Sequence, residues 1–256
     1  MTAPVLRVVE REALVYFRLW RGLVFSIFVQ PALYLAAMGL GLGTLIDAHS
    51  GKVAGLDYLD FVAPGLLVAS TMQLSVAEGL WPVLAGVKWM KFFHGVVATP
   101  IRPSELYGGY VIWVAIRSVL GSSAFLLVAA LIGAVPSAWA ILAIPIAALC
   151  AAAFVAPVAA FSMTQDSDLS FPMIMRLGVL PLFLFSGTFF PISELPAGLR
   201  PLATLSPLWH AVELARDAMT GRFGVLADIV HVAVLAGCVA VGAYFGVRTF
   251  TRRLSA

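Results

Sequence analysis

Charge is scarce in this sequence. Asp, Glu, Lys and Arg make up 11% of 256 residues, whereas soluble domains carry about 25%, and this excludes an ordinary soluble fold. Cysteine is nearly absent: Cys150 and Cys238 both lie in apolar runs without CxxC or metal-ligand spacing, and read as packing residues. No phosphate cradle is present, because the one Gly-Lys pair, Gly51-Lys52, is followed by Val53. Any ATP used must therefore be hydrolysed on another chain. His49, His94, His210 and His231 form no HExxH, which argues against a metalloprotease, and no GxSxG occurs. A net charge of +3 is too small to argue for nucleic acid. The N-terminal region lacks a compact apolar stretch with a small-residue cleavage site, so its first apolar run is expected to stay as an uncleaved anchor.

What is abundant is apolar: 61% of residues are hydrophobic and the mean hydropathy is +0.99. A helix needs about 20 residues to cross the hydrocarbon core. Runs of that length fall at 23–46, 58–81, 107–134, 138–163, 171–190 and 228–247. They predict an all-α integral membrane protein of six transmembrane helices in one transmembrane domain, 1–256. Basic residues orient the spans. With the N-terminus inside, Arg7, Arg11, Arg18, Arg21, Lys88, Lys91, Arg102, Arg248, Arg252 and Arg253 are cytoplasmic. Lys52, Arg200, Arg216 and Arg222 are opposite, so ten against four predicts both termini in the cytoplasm.

Three amphipathic pieces flank the spans. In residues 1–22, Arg7, Arg11, Arg18 and Arg21 share one helical arc, and Val5, Val9, Ala13, Tyr16 and Trp20 the other side. This predicts a helix lying along the inner leaflet, held by anionic headgroups or also supporting a cytoplasmic partner. In the 82–105 connection, Trp89, Phe92, Phe93 and Val96 follow i, i+3, i+4, i+7, with Lys88 and Lys91 on a different face. Pro100 and Pro103 stop that helix, and Ser104 is expected to cap the third span with Glu105 in its first turn. The outer segment 191–227 is broken at Pro191, Pro196, Pro201 and Pro207. Within it Leu208, Val212, Ala215 and Met219 form an apolar helical face, Arg216 and Glu213 are spaced to pair, and Gly221 ends the helix.

Ionisable groups inside spans are functional candidates because burying them is costly. Asp60, Glu78, Arg117 and Arg176 qualify, with Gln30 and Gln73 as neutral polar groups. A structural Glu78–Arg117 pair is preferred to a proton relay, since mid-span carboxylates are lacking. The compact pair Asp166 and Asp168 leaves a second function open, an intramembrane lipid-modifying enzyme holding Mg²⁺ and a diphosphate. That reading lacks the second acidic cluster such sites need.

Together these pieces resemble the type-2 ATP-binding-cassette exporter permeases over nearly the whole chain. The most specific stretches are "SGTFFPISELP" (186–196) and "SPLWHAVELARDAMTG" (206–221), with "YLDFVAPGLL" (58–67) and "ATPIRPSELYGG" (98–109) in support. Within that superfamily the lipo-oligosaccharide nodulation-factor exporters and daunorubicin-resistance membrane subunits look most similar. The resemblance implies a non-catalytic subunit in the bacterial cytoplasmic membrane, paired with a second permease subunit and docked on a separate ATPase that carries ATP and Mg²⁺. It assigns ATPase coupling to Lys88, Trp89, Lys91, Phe92, Phe93, His94, Thr99, Pro100 and Ile101, beside the interfacial arginines. It assigns the outer signature to Gly187, Phe189, Phe190, Pro191, Leu195, Pro196, Pro207, His210, Glu213 and Arg216, in short re-entrant helices read as a lid. The implied cargo is an amphiphilic or lipophilic drug or glycolipid; the wholly apolar face of much of span five, "MIMRLGVLPLFLF", where polar residues that would grip a sugar are absent, leans toward lipophilic cargo.

Overall fold

The structure, a computed structural model, describes residues 4–18, 28–29, 31–43 and 51–255. Arg21, Trp20, Gln30 and His49 lie outside the described residues, as do 23–27 and 44–46 of the first expected span. Among the described residues every regular element is helical, apart from a single bridge between Val53 and Leu56 around Gly55.

Helix α1 (Pro4–Arg18) precedes a short apolar helix α2 (Pro31–Gly43). Among the described residues four helices are long and apolar enough to cross a membrane: α3 (Tyr58–Trp89), α5 (Pro103–Ile132), α6 (Ala138–Ser162) and α10 (Val225–Leu254). Between α3 and α5 lies α4 (Phe92–Val97). A second shorter apolar helix, α7 (Phe171–Phe185), corresponds to span five. It stops before the expected residue 190 because Ser186 leaves helical geometry and Gly187 turns at φ +78°. Then come α8 (Arg200–Thr204) and α9 (Pro207–Thr220).

The organising helix is α6, rich in alanine, which contacts α3, α5, α9 and α10. Its small residues permit backbone approach where lipid supplies no hydrophobic drive between helices. A Cβ on Gly79 of α3 would stand 2.8 Å from Val158, and one on Gly242 of α10 2.7 Å from Ala156. One buried core runs through α3, α6 and α9. A second gathers Val8, Val87, Phe93, Tyr107 and Phe250 where α1 and α4 meet the ends of α3, α5 and α10.

Two local expectations change. The helix that carries the third expected run begins at Pro103, and Arg102 rather than Ser104 is its cap position, with Glu105 accepting from the Arg102 N–H at 2.8 Å. Proline at the first helical position needs no N–H, so the helix can start there. The expected continuous 88–96 helix is broken: α3 runs on through a wide π turn, Ala85–Trp89, and Lys91 then adopts φ +53°. The left-handed residue reverses the chain before α4.

Candidate functional site

At the α1 end, the chain reversal at Lys91 separates the predicted aromatic face into two. Phe93 is 0% exposed and packs on Tyr110 and Phe250, with ring centroids 6.3 and 5.9 Å away. Gly86 makes room for it, since a Cβ there would meet the Phe93 ring at 2.9 Å. Phe250 in turn stacks edge-on with Tyr107 at 5.1 Å, and Tyr107 Oη lies 2.9 Å from the Gly242 carbonyl. Trp89 points the other way and is 57% exposed, beside exposed Met90, Lys91, His94, Gly95, Thr99 and Pro100. Ile101 and Phe92 are half-buried. The anchor and the surface are thus different residues on adjacent turns.

Helix α1 is fastened to this block. Val8 is buried against Gly109, where a Cβ would stand 2.7 Å away, and the Arg11 guanidinium sits 4.1 Å above the Phe92 ring. Arg7 and Arg18 are exposed. Further along, Tyr16 stacks edge-on with Trp113 at 5.5 Å and lies 4.9 Å under Arg117, which is in direct contact with Glu78. Arg11 likewise contacts Glu12. Burial raises the Glu12 carboxyl above the usual carboxylate range, opposed by Arg11 and reinforced by Glu78.

Asp166, in the connection after α6, accepts from Lys88 at 2.8 Å and Arg253 at 2.9 Å. Hydrogen bonding and charge from Lys88, aided by Arg253, hold it below the usual range. It joins the ends of α3 and α10. Asp168 is not part of that cluster: its carbonyl accepts from Phe171 N at the start of α7. Arg176 sits in the π stretch Ile174–Val179 of α7.

At the opposite end, the four prolines of 191–207 introduce turns rather than break helices. Pro191 precedes a 3₁₀ turn, Ile192–Glu194, and Pro196 accepts from Leu199 N at 2.9 Å. Pro201 and Pro207 stand in the first turns of α8 and α9. Each site is one where the missing N–H costs nothing. Leu195 is buried, while Phe189 and Phe190 are half-buried, with Phe189 edge-on to Phe183. The predicted face of α9, Leu208, Val212, Ala215 and Met219, is fully buried in the bundle.

Arg216 ties this end together. It donates to Glu213 Oε1 at 2.5 Å and to the Gly187 carbonyl at 2.6 Å, and lies 4.1 Å above the Phe61 ring. Burial pulls its pKa below the usual arginine range, opposed by Glu213 and Asp217. Alongside, His210 and His231 bring their Nδ1 atoms to 2.6 Å, and burial followed by the charge of His231 holds His210 below the usual histidine range.

The sequence reading did not pair these histidines or join Asp166 to Lys88 and Arg253, because those contacts cross from one helix to another. It also missed Asp217, whose carboxyl is pushed up to about 7 by burial and then by Asp228 and Glu213, with Arg216 opposing. The native state therefore binds more protons than the unfolded chain between the ordinary value, 3.8, and about 7. The stabilisation is fully present below pH 3.8 and lost as pH rises through 7. Solvent screening of this half-exposed group leaves about 1–2 kcal/mol. Asp217→Asn is expected to flatten the fall of thermal stability between pH 5 and about 8, checked by melting the purified protein across that range. An unchanged slope would exclude Asp217 as its source.

These two built ends on a polytopic helical bundle accord with sequence comparison. Residues 5–220 match the ABC-2 type transporter family, and the chain belongs to it. It is similar to Nodulation protein J of Rhizobium meliloti (strain 1021), 25% identical over 247 residues, covering 95% of this chain and 91% of the relative. Nodulation protein J of Bradyrhizobium diazoefficiens is 29% identical over 225 residues, 88% and 84% of the two chains. That of Sinorhizobium fredii is 29% identical over 195 residues, 76% and 73%. The chain is thus a membrane component of a transporter.

Proposed function

We propose that this chain is the permease half of an ATP-driven exporter that moves an amphiphilic or lipophilic molecule, a drug or a glycolipid such as a lipo-oligosaccharide, out across the bacterial cytoplasmic membrane. It works with a second permease subunit and with a separate ATPase that binds ATP and Mg²⁺. Helices α2 and α7 complete six spans, both termini are cytoplasmic, and residues 191–227 belong to the outer face as short re-entrant helices.

The observation that carries this reading is the anchoring of α4. Phe93 seats the loop in a core shared by α3, α5 and α10, while Trp89, Met90, Lys91 and His94 stay exposed around the chain reversal beside it. A force applied to that surface reaches three long helices through packed rings. Exposed Leu177, Leu180 and Leu184 on α7 offer an apolar face for the second permease subunit. The enzyme alternative is disfavoured because both Lys88 and Arg253 already neutralise Asp166.

The test uses the chain co-expressed with a soluble ATP-binding-cassette ATPase from the same organism. Co-purification and ATP-dependent uptake of a fluorescent amphiphile into inside-out vesicles are the expected results. Cysteines at Ser193 and Ala197, both exposed, should react with an impermeant maleimide from outside intact cells. Uptake that proceeds without any ATPase, or labelling only from the cytoplasm, would overturn the reading.

A further inference from the structure

Halfway along α3 and α5 the bundle holds a cavity of about 300 Å³, lined also by α1 and α2. Gln73 stands at the middle of α3 and Arg117 at the middle of α5. From α3 come Ser70 and Thr71 as well, and from α5 Ser118 and Ser122, at helical spacings that turn one polar face of each toward the other. Gly121 sits between the two α5 serines, and a Cβ placed there would meet nothing within 4 Å. The rings of Tyr16, Tyr34 and Phe125 form the apolar part of the wall.

The hydrogen-bond directions restrict what fits. Ser70 and Thr71 donate to the Leu67 carbonyl at 3.0 and 2.9 Å. Ser118 donates to Ala115 at 2.7 Å and Ser122 to Val119 at 3.2 Å. With each hydroxyl proton committed to its own helix, these four groups offer lone pairs to the cavity. Their complement is a ligand rich in O–H or N–H donors. A phosphate, which only accepts, finds four acceptors facing it. Nor is the site cationic, since Arg117 is held by Glu78. Arg117 Nε is buried without a partner, and Gln73 makes no hydrogen bond, among the described residues, leaving the cavity a few donors of its own. Leu74 lines the cavity and is 38% exposed, an apolar edge along which an acyl chain can lie.

We infer that this cavity binds the neutral, hydroxyl- or amide-bearing headgroup of an amphiphile within a single protomer, with the aromatic rings against its C–H faces and its chain lying along Leu74. The inference rests on the transporter reading for its physiological meaning and narrows that reading from lipophilic drugs toward glycolipid-like cargo. The polar grip that span five lacks is supplied by spans two and three.

The experiment is photolabelling of the full chain in phosphatidylethanolamine/phosphatidylglycerol nanodiscs without any ATPase, using an alkyl glucoside with a diazirine beside its headgroup. Saturable labelling of peptides spanning 70–74 and 117–125 is expected. Unlabelled alkyl glucoside should displace it, and a phosphocholine detergent of equal chain length should not. Gly121→Leu, which fills the space on a helix that accepts leucine, should abolish labelling. Gln73→Leu, which leaves the packing volume nearly unchanged, should weaken it about five-fold, the value of one hydrogen bond. Labelling that is unsaturable, equally displaced by phosphocholine, or indifferent to both substitutions would overturn the site. Intact labelling in a protein that fails ATP-dependent uptake would overturn the exporter reading and leave the site standing.

Discussion

Arg216→Ala is expected to remove most folded protein from the membrane. The residue is 8% exposed, yet it carries a charge that meets Glu213, the Gly187 carbonyl and the Phe61 ring. Truncation leaves the Glu213 carboxylate and the Gly187 carbonyl without their donor. Breaking a buried pair from one side costs about 3–5 kcal/mol. The purified variant should lose about 10 °C in apparent melting temperature, consistent with about 2–4 °C per kcal/mol for a chain of this size. Arg216→Lys keeps the charge, but a single ammonium cannot reach two acceptors and cover a ring, so it should recover only part of the loss. Glu213→Gln retains an acceptor and should be the mildest of the three. A melting temperature for Arg216→Ala within about 2 °C of the parent would show that α9 is held by its apolar face alone.

That face was legible in the sequence and the role of Arg216 was only half so. Spacing alone places Leu208, Val212, Ala215 and Met219 on one side and puts Glu213 within reach of Arg216, because both are properties of a single helix. The carbonyl of Gly187 and the ring of Phe61 come from distant parts of the chain, and no local period encodes them. The same division holds elsewhere. Long apolar runs identified α3, α5, α6 and α10, since length and hydropathy are enough for a spanning helix. Ser70, Thr71 and Gln73 on α3 and Ser118 and Ser122 on α5 carried a readable signal, polar residues at helical spacing inside apolar runs. Only the packing of α3 on α5 turns two such stripes into one cavity. The aromatic pattern of 89–96 misled for a related reason. A continuous i, i+3, i+4, i+7 series presumes an unbroken helix, and the left-handed Lys91 divides it.

That division makes Phe93 and Trp89 the most discriminating pair to mutate. Phe93→Ala empties a site with no exposure between Tyr110, Phe250 and Gly86, and large-to-small changes of this kind cost about 3–5 kcal/mol. It should lower the melting temperature by about 10 °C and impair both assembly and transport. Trp89→Ala removes a ring that is mostly in solvent, so stability should move by less than about 0.5 kcal/mol. If the exposed turn receives the ATPase, truncating its aromatic anchor should still cost more than about 2 kcal/mol of association, a loss of at least about thirty-fold in affinity. The measurement is co-purification and ATP-dependent uptake, read beside melting curves for both variants. Separation of the two effects, stability lost at Phe93 and coupling lost at Trp89, is the pattern a rigidly seated docking surface demands. Uptake unchanged in Trp89→Ala would move the ATPase contact away from this turn, and the next surface to test would be the exposed arginines of α1, Arg7 and Arg18.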